Sequence, residues 1–373
     1  MDEKHETDDV LDKECGDEGP SAPPTEMLDP VAGYEGIPAD GGGGKTVPLP
    51  PKLINSPRED QPSPLPPEAR IPALTEDMAR EALIKFVSSK WFYGSKPAKE
   101  LTFRDLKPLT TYRYRLETFT EARSTEWTFV PYTDQMVDGP ENGLPPAPWD
   151  VMVEPPPLFQ NDQKKVAVPH TSSVKPCHKC HGKGRYRCSR CSGSGKLRCV
   201  SCNGTGQTAQ KRCFQCSGTG RRRCRTCNGR GSIICSICKG KRNLLHYIQL
   251  TVTWKNVVFE HVPDHQTGFP VELFKKVKGD DIFMDEHITV YPMVGFPELE
   301  ICEASKRGIT DHNAQFSSTA RILKQRQTIE IVPLTEVHCE YKQKTYSYYV
   351  YGTEQEVYAP SYPAKYFWGC NIF

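Results

Sequence analysis

"CHKCHGKGRYRCSRCSGSGKLRCVSCNGTG" (residues 177–206) places six cysteines in thirty residues and offers almost nothing apolar to bury. Its unit is C-x-x-C-x-G-x-G, which starts at Cys177, Cys188 and Cys199 and recurs at Cys213 and Cys224. A degenerate sixth copy starts at Cys235, with Arg242 where the last glycine should stand. Two cysteines three apart can turn both sulfurs toward one centre, and a tetrahedral ion takes two such knuckles, so each pair of repeats makes one closed four-thiolate site. The glycines follow because the chain must turn tightly around the metal, in backbone regions that a side chain disfavours. The twelve cysteines Cys177, Cys180, Cys188, Cys191, Cys199, Cys202, Cys213, Cys216, Cys224, Cys227, Cys235 and Cys238 are therefore expected to bind three zinc ions. The metal supplies the folding free energy that so small an apolar content cannot.

First cysteines follow one another at intervals of 11, 11, 14, 11 and 11, symmetric about GTGQTAQKRC (residues 204–213). That symmetry predicts a hairpin turning at the long interval. Its pairing is nested: third knuckle with fourth, second with fifth, first with sixth. Sequential pairing of neighbours is the alternative. In the nested register RYR (185–187) faces SII (232–234), bringing Tyr186 beside Ile233 or Ile234. Eighteen Lys and Arg and no acidic residue lie between Lys175 and Leu245, and three Zn(Cys)4 centres, each carrying a net charge of −2, leave the hairpin at +12. Such a surface fits phosphates, with strong salt dependence, or the acidic start of the same chain.

Outward from this block the 373-residue chain divides by composition. Residues 1–72 begin acidic and become rich in Gly and Pro, which predicts a disordered tail whose Pro-rich part is a solvated spacer rather than an SH3-type ligand. Residues 73–170 form an N-terminal α+β segment. In it Thr75 caps a helix that buries Ala79, Leu83 and Phe86, and LTTYRYRLETFTEAR (109–123) and TEWTFVPYT (125–133) read as strands, followed by a proline-heavy connector. The zinc hairpin covers 175–243 and a β-rich segment 244–364. There LLHYIQLTVTWKNVVFEHV (244–262) reads as a long strand or hairpin arm and TDHNAQFSSTARILKQR (310–326) as a helix. QTIEIVPLTEVHCEYKQKTYSYYVYG (327–352) reads as paired strands around a Lys-Gln-Lys turn. Residues 365–373 are a C-terminal tail. The expected fold class is α+β, with β-rich domains carrying the inserted hairpin and a disordered N-terminal tail.

Opposite charges nearly balance, 48 against 46. The acidic start lacks the basic and apolar regions of a secretory signal, and no run of about 18 apolar residues offers a membrane span. The expected location is the cytoplasm or the nucleus, where thiols stay reduced and sixteen cysteines point to metal rather than to disulfides. His178 and His181, inside the first repeat, are expected to be exposed rather than ligating. His246, His261, His265 and His287 have no spaced partner that completes a catalytic set, and no phosphate-binding glycine loop is present. Asp280-Asp281 and Asp285-Glu286 read as a solvated loop rather than a cation site, and Cys302 and Cys339 as ordinary packed thiols.

The repeat block resembles the cysteine-rich region of DnaJ-type chaperones, where four such repeats bind two zinc ions in nested fashion and project from a β-rich substrate-binding domain. No His-Pro-Asp triplet of a J domain occurs, and no Gly/Phe-rich segment. With strands on both sides of six repeats and Trp368-Gly369-Cys370 near its end, the whole chain is similar to the animal Ssu-two homologue family. These resemblances imply a non-enzymatic zinc protein that binds other proteins or client chains, as a chaperone-like adaptor without a J domain. An RNA-binding adaptor using the basic face is the alternative, and a thiol-disulfide oxidoreductase a third reading, disfavoured because zinc holds the thiolates. Cys370-Asn371-Ile372-Phe373 matches the C-a-a-X pattern. Cys370 is thus a candidate for prenylation, the one route by which this chain would meet a membrane.

Overall fold

The computed structural model describes residues 22–37, 44–50, 73–209, 211–264 and 268–363. The described chain is mostly β-sheet. Its strands are β1 (Lys45–Thr46), β2 (Thr102–Pro131), β3 (Asp162–Ala167), β4 (Ser173–Pro176), β5 (Arg185–Arg187), β6 (Lys196–Arg198), β7 (Gln207–Thr208) and β8 (Lys211–Arg212). They continue with β9 (Arg221–Arg223), β10 (Ser232–Ile234), β11 (Asn243–His261), β12 (Asp280–His287), β13 (Arg321–Tyr341), β14 (Lys344–Tyr351) and β15 (Glu356–Tyr358). Three α-helices occur among the described residues: α1 (Glu76–Ser88), α2 (Lys96–Glu100) and α3 (Leu299–Phe316). The α+β expectation thus holds only in part.

The chain divides into two compact units. One takes its residues from Met1–Val47, Arg123–Val153 and Lys164–Val252, the other from Pro48–Ala122, Glu154–Gln163 and Thr253–Phe373. Both β2 and β11 contribute residues to each.

In the second unit β13 is the central strand. Along one edge it pairs antiparallel with β2, from Arg321 opposite Glu121 to Glu340 opposite Thr102. Its other edge is shared in succession by β12, from Gln325 to Ile331, and by β14, from Leu334 to Tyr341. Alternation along these strands sends Ile329, Ile331 and Val337 inward. Helix α1 starts where Thr75 Oγ1 accepts the Met78 amide, with Glu76 and Asp77 in the first turn. It buries Ala79, Leu83 and Val87 against Val337, Tyr348 and Val350, while Phe86 is half-buried. Helix α3 lays Ile301, Ala304 and Ile309 on Tyr114, Phe283 and Ile329. The β13–β14 hairpin closes through Lys342 and Gln343, with φ of 51° and 61°, the backbone that a two-residue turn requires between strands of right-handed twist.

Three expectations are corrected. The helix read over 310–326 ends at Phe316, and Arg321–Arg326 open β13. Gln325 and Gln327 are fully buried at inward strand positions, so residues that look polar in sequence carry the sheet's period of two. Asp280–Glu286 belong to strand β12, not to a loop: Asp285 accepts from Gln327, and Glu286 pairs with Lys324 and Arg326. Finally, part of the stretch expected to be disordered is ordered. Tyr34 is buried and donates to the Pro146 carbonyl at 2.7 Å, and β1 pairs with β2 through Lys45 opposite Thr125. A tyrosine and Ile37 give this short segment something to bury.

In the first unit β4 and β11 form the root of the cysteine block, pairing from Pro176 opposite Asn243 to Ser173 opposite His246. The block leaves the sheet at Pro176 and returns at Asn243. Between them it forms a ladder of short antiparallel rungs: β5 with β10, β6 with β9, β7 with β8. Tyr186 lies opposite Ile233.

Candidate metal centres

Each knuckle is built from the same local steps. The residue after its second cysteine adopts a left-handed backbone (His181, Ser192, Asn203, Ser217, Asn228 and Lys239, φ 44–51°), as does the glycine that follows. The chain thereby folds back, and the amide of the repeat's last glycine points at the second sulfur: Gly184 to Cys180 at 3.1 Å, Gly195 to Cys191 at 3.2 Å, and Gly206, Gly220 and Gly231 to Cys202, Cys216 and Cys227 at 3.3 Å. Such donors favour thiolate over thiol. In the sixth knuckle Arg242 takes this place at φ 75°, so the degenerate copy keeps the backbone and bears the strain of a side chain there.

Knuckles pair through reciprocal backbone bonds. Cys188 donates to the Gly231 carbonyl at 2.9 Å and Cys224 to that of Gly195 at 2.9 Å; Cys199 with Gly220 and Cys213 with Gly206 repeat the pattern. The close approach leaves no space for a side chain: a Cβ on Gly231 would lie 2.2 Å from the Gly193 carbonyl oxygen, and one on Gly195 2.3 Å from that of Gly229.

The twelve cysteines consequently gather as three buried tetrads: Cys177, Cys180, Cys235 and Cys238; Cys188, Cys191, Cys224 and Cys227; Cys199, Cys202, Cys213 and Cys216. Within each, all four sulfurs lie within 4.8 Å of one another. The pairing is nested, and the alternative of neighbouring knuckles is not what the chain adopts. Sulfur separations across the knuckles are 3.8 and 3.6 Å in the first tetrad, 3.9 and 3.7 Å in the second, and 3.9 and 3.7 Å in the third. A tetrahedral ion with metal–sulfur bonds of about 2.3 Å requires sulfur edges of about 3.8 Å. The tetrads are therefore positioned to hold metal ions, and a set of four thiolates suits zinc.

Over nearly all its length this sequence matches curated proteins called Protein SSUH2 homolog. It is 53% identical over 370 residues to the one from Homo sapiens, covering 99% of this chain and 98% of that relative. The chain belongs to the SSUH2 homologue family. To the family's Danio rerio protein it is 49% identical over 349 residues, 93% of this chain and 95% of the relative, and to that of Mus musculus 50% identical over 325 residues, 86% and 95%. No family model and no solved structure matches the sequence.

The electrostatics of the tetrads follow from crowding thiols together. Burial, opposed by amide donors and increased by the neighbouring sulfurs, pushes Cys188 up to about 12. Its partner Cys191 is also raised by burial, but the Gly195 amide and the surrounding thiols outweigh this and hold it at about 7. Cys213 and Cys202 divide likewise, at about 11 and about 6. A cation at the centre is what allows all four sulfurs to ionise together.

One structural role of the basic residues escaped the sequence reading. Four knuckles are preceded directly by arginine, and each guanidinium donates to the carbonyl of that knuckle's left-handed residue: Arg187 to Ser192 at 2.8 Å, Arg198 to Asn203 at 2.7 Å, Arg212 to Ser217 at 2.9 Å and Arg223 to Asn228 at 2.6 Å. Pro176 and Ile234 replace it in the two outer knuckles. The repeated Arg-Cys dipeptide was the available signal.

The histidines divide. His181 is exposed, whereas His178 is buried, contrary to expectation: its ring meets Phe129 edge-on at 5.4 Å. His246 also meets Phe129, at 5.6 Å. Burial, with the His178 charge, lowers His246 to about 4. The first knuckle sits at the hairpin root, where a flat side chain finds partners on β2 and β11. Elsewhere His261 meets Glu300 at 3.8 Å and His287 meets Asp285 at 3.2 Å. Cys302 is half-buried, and burial pushes the Cys339 thiol up to about 11. His265 and Cys370 lie outside the described residues. No helix of the described chain is long and apolar enough to cross a membrane.

Proposed function

We propose that the three tetrads are structural zinc centres and that the hairpin they stiffen is a protein-docking arm, making the protein a non-catalytic, chaperone-like adaptor of the cytoplasm or nucleus. The carrying observation is the closure of each centre: four buried cysteines fill the tetrahedron and leave no position for a substrate or water. Exposed apolar side chains on the hairpin support the docking role, Phe214 at 95% and Val200 at 80% exposure. Thiol exchange would require ligands to leave the metal. The test is protection of a denatured model substrate from aggregation by the zinc-loaded chain, which chelation abolishes. Unchanged protection after chelation would contradict the reading.

A second reading, RNA binding, is favoured by the absence of acidic residues among the eighteen basic ones from Lys175 to Leu245. Against it stands the use of four of those arginines as braces on their own knuckles. If RNA is the partner, affinity falls steeply with salt and with neutralisation of Arg221, Arg222 and Arg223.

A further inference from the structure

The residue directly after the first cysteine of each knuckle has no part in holding metal, and in order it is His178, Ser189, Val200, Phe214, Arg225 and Ser236. Only the third tetrad, at the hairpin tip, carries an apolar residue at this position in both knuckles, and both are strongly exposed. Cations surround them along the chain: Arg198 precedes the Val200 knuckle, Lys211 and Arg212 the Phe214 knuckle, and Arg222 donates to Gln215 beside it at 2.9 Å. The tip tetrad therefore presents two exposed apolar side chains, one on each knuckle, in a stretch rich in cations.

One segment of this chain has the complementary pattern. Residues 2–18 carry nine acidic residues against two lysines, and their Val10-Leu11 pair is bracketed by Asp8, Asp9 and Asp12. The described chain that follows is already held at the hairpin root, where Lys175 Nζ pairs with Asp29 at 2.8 Å and donates to the Met27 carbonyl. Residues 22–27 already have their place in the structure, with a 3-10 turn at Thr25–Met27, and the eleven residues from Leu11 to Ala22 can span up to about 38 Å. Two three-residue rungs of about 10 Å each, with their metal knuckles, place the tip about 30 Å from the first tetrad. The segment is long enough.

We propose that residues 8–12 dock on the hairpin tip of the same chain, Val10-Leu11 against Phe214 and Val200 and the aspartates against Lys196 and Lys211. The acidic start thereby covers the protein-docking surface until a competing partner displaces it. This rests on the reading of the tip as a docking surface and adds its regulation.

The test uses the full, zinc-loaded chain, with carbodiimide coupling of carboxylates to amines at low salt and mapping of the cross-links. Expected are links from Asp8, Asp9 or Asp12 to Lys196 or Lys211. Both Phe214→Ser and the double variant Val10→Ser/Leu11→Ser should lower their yield at least fivefold, while the Asp29–Lys175 link is unchanged. Absence of tip links, or equal yields in the variants, overturns the proposal. So do links joining the two isotopes in a mixture of labelled and unlabelled chains, which would make a second copy the occupant. Zinc content and client protection are measured on the same preparations. Failure of the docking-arm reading then shows as lost or chelation-insensitive protection, independently of the cross-links.

Discussion

The metal hairpin and the sheet of the second unit solve the same problem with different means. Around β13, chain order is maintained by apolar burial: Ile329, Tyr114 and Ile301 are fully buried, and their alternation fixes the register. In the hairpin the rungs β5/β10 and β6/β9 are three residues long and half exposed, and the buried groups are sulfurs. Register there is set by where the cysteines fall. One region is a core that contains polar groups; the other is a row of buried four-sulfur sites with a backbone wound round each.

Metal removal should therefore separate the two most strongly. On chelation, amide protection across residues 177–238 is expected to collapse, since a structural zinc contributes on the order of 10 kcal/mol to folding. Protection in β13 should stay within a factor of a few. Hydrogen exchange by mass spectrometry checks this, and equal loss in both regions would erase the contrast. The converse perturbation is Ile329→Ala, which should destabilise the second unit by about 3 kcal/mol in denaturant unfolding and leave the zinc count unchanged.

Smaller changes sharpen the contrast. Gly220 has φ 70°, and a Cβ there would lie 2.3 Å from the Gly204 carbonyl oxygen. Gly220→Ala should cost at least about 2 kcal/mol and weaken the third centre's zinc affinity about thirtyfold in a chelator competition, with the other two centres unaffected. Arg198→Ala, removing one brace, should cost about 1 kcal/mol or less at that centre. The smallest effect expected concerns pH in the sheet unit. Burial, outweighing the charge of Asp311, lowers His312 below the ordinary imidazole value, and Thr118 holds its Nδ1 at 2.7 Å. The fold thus keeps it neutral, the unfolded chain binds the proton more readily, and stability falls as pH drops below about 6.5. In His312→Gln that component should disappear from the pH dependence of unfolding midpoints.

Much of the metal region was legible because its rules are local. Intervals of 11, 11, 14, 11 and 11 carry the hairpin, and the rung of Tyr186 opposite Ile233 follows from them. The sheet was harder to read where polar residues face inward. Gln327 donates to Asp285 and to the Tyr291 carbonyl and accepts from Tyr114 and Ser305, and Gln325 links Thr118 to the Val290 amide. Their placement depends on partners far away in sequence, so ILKQR passed for helix. His178 was misjudged for the same reason, since its burial depends on Phe129. The arginine braces were missed because a run of cations reads first as a surface charge.

Whether six knuckles pair in nested fashion around three zinc ions is decided by native mass spectrometry of double cysteine variants. Third with fourth is common to nested and sequential pairing, so the deciding pairs lie elsewhere. The unaltered chain should carry three ions. Cys188→Ser/Cys224→Ser, which strikes one centre twice, should keep two, and Cys180→Ser/Cys188→Ser, which strikes two centres, should keep one. Two ions or fewer in the unaltered chain, or the reverse order in the double variants, would rule out nested pairing around three ions.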